Sequence, residues 1–342
     1  MGRHPPRTCS VGVIPVTSAA VDERRLAVAN CPLCGANPDR LFRAEDLSYG
    51  VPGKFEIARC SRCHCYWLRD PFNPASISAA YPSQTYYSFV APKMTMGWRQ
   101  TAVNARYQES PRRFLAMLGR RLQAYPRAGR PGRVLDVGSG AGARLTTLTA
   151  AGWIATGVEP DENAVAAARE AGLDVQAGSA EHLPLPDRSV DSVILAHCIE
   201  HTYDPRAAVR EAMRVLRPGG DLVVTTPNAA SLARAVFGVR WAGWEVSRHL
   251  VVFNRSALVK LLRDEGFEIA LVRGSSWGYS LAHSVVLTER GRGRSVPQWL
   301  SKGLPFLFLP AAALLNLTPW ADEVEVAARR PTDEVSGPGT GL

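Results

Sequence analysis

Three groups of residues in this 342-residue chain have the types and spacing to do chemistry. Cys31-Pro-Leu-Cys34 and Cys60-Ser-Arg-Cys63 are two Cys-x-x-Cys turns separated by 25 residues. Four thiolates so arranged reach a tetrahedral ion, and structural zinc is the expected occupant, with Gly35 allowing the tight first knuckle. A closed four-thiolate set has no open position for catalysis. It supplies roughly 10–16 kcal/mol of local folding free energy, enough for a short segment to fold without a large core. Cys65 reads as a bystander. The second group is Asp136-Val-Gly138-Ser139-Gly140-Ala-Gly142, followed by Glu159. Glycines at such a turn let the backbone approach a ligand, and the helix that follows offers free N–H groups. Glu159, ending the next strand, can accept both hydroxyls of an adenosine ribose. A dinucleotide dehydrogenase competes for this loop, and Gly142 also suits plain helix packing. The third group is His197-Cys-Ile-Glu200-His201, where two imidazoles and a carboxylate follow a strand.

The frame for these residues is legible as alternation. Short β-rich runs at 133–138, 154–159, 174–179, 192–196, 221–226 and 267–272 alternate with helical patterns at 143–151, 161–171, 205–216 and 255–265. Such alternation predicts an α/β fold, a parallel sheet with helices on both faces, and 323–329 is the last strand. Open sheets of this kind bind ligands at the carboxyl ends of their strands, where all of the second and third groups fall. The chain reads as a tail over 1–29, a zinc ribbon over 30–70 and a connector with a basic amphipathic helix over 71–130. An α/β domain over 131–330 and a Gly/Pro tail over 331–342 complete it.

The formal charge is +9, from 40 basic and 31 acidic residues. Residues 1–130 carry a net +11 and residues 131–342 a net −2. The excess therefore lies outside the α/β domain, which argues against nucleic acid as the reacting partner. Of the basic residues 36 are Arg, a skew that more often reflects a GC-rich genome than a binding site. No apolar run of signal-peptide length opens the sequence, so a cytoplasmic protein is expected.

The strings VLDVGSGAG, GVEPDENAV, GSAEHLPLPDRSVDSVILAHCIEHTYDP and LRPGGDLVVTTPN, in that order, resemble the class I S-adenosylmethionine-dependent methyltransferases of the ubiquinone-biosynthesis-methyltransferase-like superfamily. The LRPGG turn and the Leu-Pro-Leu-Pro-Asp segment do not belong to the dehydrogenases. The resemblance covers about residues 131–273 and implies a Rossmann-like, seven-stranded, mostly parallel sheet. It implies that Asp136 meets the methionine amino group, that Gly138, Ser139, Gly140 and Gly142 line the methionine end, and that Glu159 holds the ribose. Pro160 packs near the adenine, Ser179, Ala180 and Glu181 flank its edge, and Ala196 and His197 close the site under the sulfonium. Many relatives have Asp where this chain has Ser179.

Methyl transfer to a hydroxyl needs positioning and a proton sink. A histidine titrating near neutrality suits that sink, and His201 is the expected base with His197 as the alternative. The segment also resembles the Glu-x-x-Glu-His stretch of small-RNA 2′-O-methyltransferases. That resemblance implies a divalent metal at Glu200, His201 and His249, although the first Glu of the pattern is His197 here. A third reading has Glu200 and His201 brace the loop.

Residues 227–254 interrupt the pattern and carry Trp241, Trp244 and His249, which are expected to line the acceptor pocket. The ribbon and its Tyr-rich connector resemble the N-terminal region of many bacterial methyltransferases, and Tyr81, Tyr86 and Tyr87 are expected either over the site or packed between ribbon and core. Residues 275–321 form a second insertion, whose stretch 303–317 is apolar. If both flanking strands share one sheet, a single membrane pass is impossible. The stretch is then a covered lid, the favoured reading, an oligomer interface, or a peripheral anchor at the inner membrane face. The expected activity is O-methylation of a small-molecule, sugar or lipid-linked acceptor. An RNA base methyltransferase docking through the basic ribbon region and a non-catalytic binding protein of the same fold are the alternatives.

Overall fold

The computed structural model describes residues 24–81, 131–276 and 278–333. The expected helix over 101–127, and Tyr86 and Tyr87, lie outside the described residues. The first strands are β1 (Pro38–Glu45), β2 (Lys54–Cys60) and β3 (Tyr66–Leu68). Then come β4 (Arg133–Val137), α1 (Ala143–Ala150), β5 (Ile154–Glu159), α2 (Glu162–Glu170), β6 (Val175–Ala177) and β7 (Val190–Ala196). α3 (Pro205–Val215), β8 (Leu216–Pro227), α4 (Leu232–Phe237), β9 (Val251–Val252), α5 (Arg255–Asp264) and β10 (Glu268–Ser275) follow. α6 (Gly278–Arg290), α7 (Gln298–Leu307), α8 (Leu309–Leu315) and β11 (Glu323–Arg329) end the order.

The main sheet has seven strands in the order β10-β11-β8-β7-β4-β5-β6, with β11 antiparallel to both its neighbours. It is the predicted mostly parallel sheet. Its central strands are covered on both faces, so they read as unbroken apolar runs. Leu135, Val137, Val193, Leu195, Leu222 and Val224 face α3 and α5. The alternate residues Val134, Ile194 and Val223 join Leu148 of α1 on the other face. Side-chain caps fix where the helices begin. Asp161 accepts from the Ala164 N–H at 2.9 Å, and Asp204, just before Pro205, accepts from Arg206 and Ala207. α3 and α5 are further joined by Glu265, which pairs with Arg206 and with Arg210.

A second sheet runs β1-β2-β3-β9, antiparallel throughout. Its last strand comes from the 227–254 insertion, so the cysteine-bearing segment is woven into the α/β domain instead of standing beside it. Asn254 strengthens the seam, because its Oδ1 caps α5 at Ala257 while its Nδ2 donates to the Cys63 carbonyl at 2.7 Å. Trp241 and Trp244 meet at this seam, 5.2 Å apart and edge-on, in a core shared with Phe55, Tyr66 and Phe72.

The flanks of the second insertion, β10 and β11, pair directly with each other. Among the described residues no helix is long and apolar enough to cross a membrane. The covered lid expected over 303–317 is not what forms. Phe306, Leu307, Leu314 and Leu317 are largely exposed; the run divides at Phe308, just before Pro310, into two short helices, with Pro305 inside the first, and only Ala312 and Leu315 of the second are buried.

Candidate active site

The loop after β4 is held to the next strand by backbone bonds, from the N–H groups of Gly138 and Ser139 to the Val158 carbonyl. Gly138 and Gly142 have φ of +71° and +85°, a region that penalises any side chain. A Cβ on Gly142 would also lie 2.3 Å from Leu173 Cδ1, so this glycine closes the fit between the loop and the segment after α2. Glu159 ends β5 and accepts from the Gly140 N–H at 2.9 Å and the Asp161 N–H at 3.0 Å. Burial pushes its pKa up, and those two N–H groups oppose the rise. Each of its oxygens retains a lone pair for a further donor.

Asp136, at the end of β4, is fully buried, and burial raises its pKa against the pull of Arg144, whose Nη1 lies 2.6 Å from Oδ1. Its Oδ2 and the neighbouring Ser139 Oγ have no hydrogen-bond partner, although both are out of contact with solvent. Buried polar atoms are almost always paired, so two orphans at one strand-to-helix loop mark a place where a ligand's polar groups belong. Pro160 follows Glu159 at the mouth of β5. Ser179 accepts from the His182 N–H, Ala180 is buried, and Glu181 accepts from the Tyr203 N–H at 3.0 Å. Ala196 ends β7, opposite Thr225 of β8.

The His197–His201 segment builds a charged cluster. His197 has φ +54°, an unusual conformation for a non-glycine residue and one met often at functional sites. Its Nδ1 lies 3.3 Å from Glu200, and its Nε2 lies 3.4 Å from Glu323 of β11. Burial disfavours charge on this imidazole, but Glu323 and Glu200 outweigh that and push its pKa up to about 9. At neutral pH His197 is a cation without a free lone pair, which removes it as the alternative base. Burial likewise opposes the Glu200 carboxylate, but His197 holds its pKa down to about 2.

His201 behaves in the opposite way. Burial, with His249 beside it, pushes its pKa down to about 4, so it stays neutral. Its Nδ1 lies 3.1 Å from the Arg248 carbonyl and 3.0 Å from the Tyr81 hydroxyl. A carbonyl only accepts, so Nδ1 carries the proton and Nε2 keeps its lone pair. His249 repeats the arrangement, with Nδ1 2.9 Å from the Gly243 carbonyl. The two rings sit 4.7 Å apart, edge to face. Glu200, His201 and His249 each present a ligating atom within 4.8 Å of the others, and neither Glu200 oxygen receives a hydrogen bond.

Trp241 and Trp244, expected on the pocket wall, are instead interior, 1% and 3% exposed. They back the His249 loop, and the Trp244 indole N–H donates to the Gly238 carbonyl. Sequence reasoning missed Arg248, Asp46, Glu245 and Asp322. Arg248 is buried against Asp46 at 2.7 Å and Glu245 at 3.2 Å, and it holds the backbone that positions His201. Asp322, whose carboxylate has no hydrogen-bond partner, precedes Glu323, and burial with that neighbour raises its pKa to about 7. The one sequence signal for Arg248 was its place next to His249.

Away from the strand ends, Cys31, Cys34, Cys60 and Cys63 bring their sulfurs within 4.8 Å of one another, with Cys31–Cys63 at 3.6 Å and Cys34–Cys60 at 3.4 Å. The N–H groups of Arg62 and Cys63 point at the Cys60 sulfur. Cys65 is buried outside this set.

Comparison with known proteins bears on the strand-end site. A family model described as a methyltransferase domain matches residues 135–224. A probable S-adenosylmethionine-dependent methyltransferase of Mycolicibacterium smegmatis is 36% identical over 151 residues, covering 44% of this chain and 57% of that protein. The chain spans about half the length of the first curated relatives it matches. A ubiquinone/menaquinone biosynthesis C-methyltransferase of Roseobacter denitrificans is 31% identical over 188 residues, covering 46% of this chain and 74% of that protein. The crystal structure of a SAM-dependent methyltransferase from Thermotoga maritima aligns with 68% of this chain and 98% of that one, at 23% identity and a TM-score of 0.44. The family match takes in the glycine loop, Glu159 and the whole His197–His201 segment, and three quarters of one relative is covered at above 30% identity, so the chain belongs to the S-adenosylmethionine-dependent methyltransferases.

Proposed function

We propose that the protein transfers the methyl group of S-adenosylmethionine to a hydroxyl oxygen of a small-molecule, sugar or lipid-linked acceptor. The observation that carries the oxygen assignment is the neutral His201, whose Nδ1–H is tied to the Arg248 carbonyl and whose Nε2 lone pair is thereby free. The residues fit the cofactor. Asp136 Oδ2 and Ser139 Oγ would take its amino-acid end, and Glu159 its ribose hydroxyls. Bound there, S-adenosylmethionine supplies an activated methyl group on sulfur. His201 then needs only modest basicity, because an alcohol proton becomes strongly acidic as its oxygen gains a third bond.

Two measurements test this. S-adenosylhomocysteine titrated calorimetrically should bind, and Glu159→Ala should weaken it about 10–100-fold through lost charge-assisted hydrogen bonds. Absence of binding to the native protein sinks the cofactor reading. Product analysis across hydroxyl-, amine- and carbon-nucleophile acceptors decides the atom, and exclusive N- or C-methylation overturns the oxygen assignment.

A second reading adds a divalent transition metal at Glu200, His201 and His249. It is favoured by Glu200, whose oxygens receive no hydrogen bond and whose Oε1 faces His197 only as an ion pair at 3.3 Å, and by the carbonyls that orient both imidazoles, the usual outer shell of metal-bound histidines. Mn²⁺ titrated against native protein and His249→Ala should show one site only in the native form. Identical isotherms remove the metal.

The four cysteines are proposed to hold structural zinc. A tetrahedral zinc with arms of ~2.3 Å requires sulfurs ~3.8 Å apart, close to the spacings found. RNA docking draws less support, because Arg43, Lys54, Arg59 and Arg69 of the ribbon, and Arg25 just before it, already pair with Asp70, Glu56, Glu45 and Asp39.

A further inference from the structure

The second insertion leaves an apolar surface that nothing among the described residues covers. Trp299, Phe306, Leu307, Leu314, Leu317 and Trp320 are 57–81% exposed and belong to one continuous segment, α7, α8 and the turn before β11. Single exposed apolar residues are ordinary, but six of this size together mark an interaction face. The segment is firmly seated. α6 and α7 touch so closely at Gly278 that a Cβ there would lie 1.8 Å from the Pro305 carbonyl oxygen. Ala312 and Leu315 of α8 are buried beneath the exposed side chains.

Charge decides among occupants. From Arg290 to Ala321 the chain has no Asp or Glu, and its charged residues are Arg290, Arg292, Arg294 and Lys302. Glu289 pairs with Arg292 at 2.7 Å and with Arg294 at 3.4 Å, so the border is net basic, not purely basic. An apolar face with tryptophans and a net basic border is complementary to an anionic bilayer surface, where tryptophan sits at headgroup level and cations are drawn to the lipid charge. A second copy of the chain would bring the same basic border against itself.

The position of the face adds a consequence. The segment departs after Ser275 and returns at Glu323, which pairs with Pro227 at the carboxyl end of β8. Glu323 also contacts His197. The face is therefore anchored at the ligand-binding end of the sheet.

We propose that residues 290–320 dock the protein peripherally on an anionic lipid surface, with the active-site end of the sheet held at the membrane. The docking does not depend on the identity of the methylated atom.

Flotation with vesicles of phosphatidylcholine containing about one third phosphatidylglycerol tests it, against pure phosphatidylcholine vesicles. The native protein should float with the anionic vesicles and release as salt rises. Trp299→Ser combined with Phe306→Ser and Leu317→Ser should lower binding at least about tenfold, since each change removes apolar surface from the interface. Arg292→Gln and Arg294→Gln should each weaken binding to anionic vesicles about fivefold and leave neutral-vesicle binding unchanged. All these positions are on the surface, so unchanged thermal unfolding and S-adenosylhomocysteine binding show that the variants are folded. Equal recovery of native and triple-variant protein with anionic vesicles overturns the proposal. So does a native dimer that the triple variant converts to monomer while neither form binds vesicles, which would make the face a contact between copies.

Discussion

Cys60→Ser will abolish bound metal and destabilise the whole protein, not only its N-terminal segment. The native chain should carry about one zinc per molecule by elemental analysis, and the variant close to none. The sulfur of Cys60 is held by two backbone N–H groups, and the four cysteines join the loop before β1 to the β2–β3 turn. Without the ion, four thiols remain packed together with nothing to organise them. β3 then loses its anchor, and among the described residues β3 is the only strand that β9 pairs with. Asn254 also loses the Cys63 carbonyl that it holds while capping α5. The disturbance therefore runs from the ribbon into the segment carrying His249. A loss of about 5 kcal/mol corresponds to a fall in melting temperature of about 10–20 °C for a domain of this size. Cys65→Ala, one residue type and a few residues away, should leave the zinc content unchanged. If Cys60→Ser keeps its metal, or melts with the native protein, the structural-zinc reading fails.

The strands of the main sheet were legible because parallel strands buried on both faces must be continuous runs of Val, Leu and Ile, and RVLDVG or DLVVTT fit little else. The cysteine turns were legible because metal geometry fixes ligand spacing locally. Other features depend on neighbours distant in sequence. β9 is two residues long, and nothing in Val251-Val252 announces β3 as its partner. Trp241 and Trp244 read as pocket residues because aromatics are common in pockets, yet indoles of that size also fill the seam between two sheets. The charge on His197 is set by Glu323, brought alongside only when β11 inserts next to β8. The apolar run over 303–317 was recognised, but its exposure follows from the break at Phe308, just before Pro310, and from the packing of α6 against α7. Arg248 was missed because arginine is rarely buried, and its partner Asp46 lies 202 residues away in the sequence, in the loop after β1.

That buried pair carries the second large effect. Arg248 and Asp46 are both almost completely excluded from solvent. Arg248 Nη1 lies 2.7 Å from Asp46 Oδ2 and 3.1 Å from the Ala80 carbonyl, and its Nε lies 3.2 Å from Glu245. One guanidinium thus ties the loop after β1, the turn ending at Tyr81 and the His249 segment into one body, with its face against the Tyr49 ring at 4.5 Å. Taking two charges out of water is expensive, so the pair adds little net stability, but removing one member leaves the other buried and poorly paired. Asp46→Ala should therefore cost about 3–5 kcal/mol. Part of that comes from the Ser48 and Tyr49 N–H groups, which Asp46 Oδ1 accepts. Asp46→Asn preserves those acceptors and should cost less. Asp46→Leu with Arg248→Met removes both charges and should recover much of the loss in a double-mutant cycle followed by thermal unfolding. Catalysis should respond differently from stability. The Arg248 carbonyl fixes the His201 tautomer, so variants that shift this backbone should lower turnover while S-adenosylhomocysteine affinity, which we propose is set at Asp136 and Glu159, stays constant. An Asp46→Ala protein that melts within about 2 °C of the native form would mean that Glu245 alone satisfies the guanidinium, and that the three segments are held together by apolar packing instead.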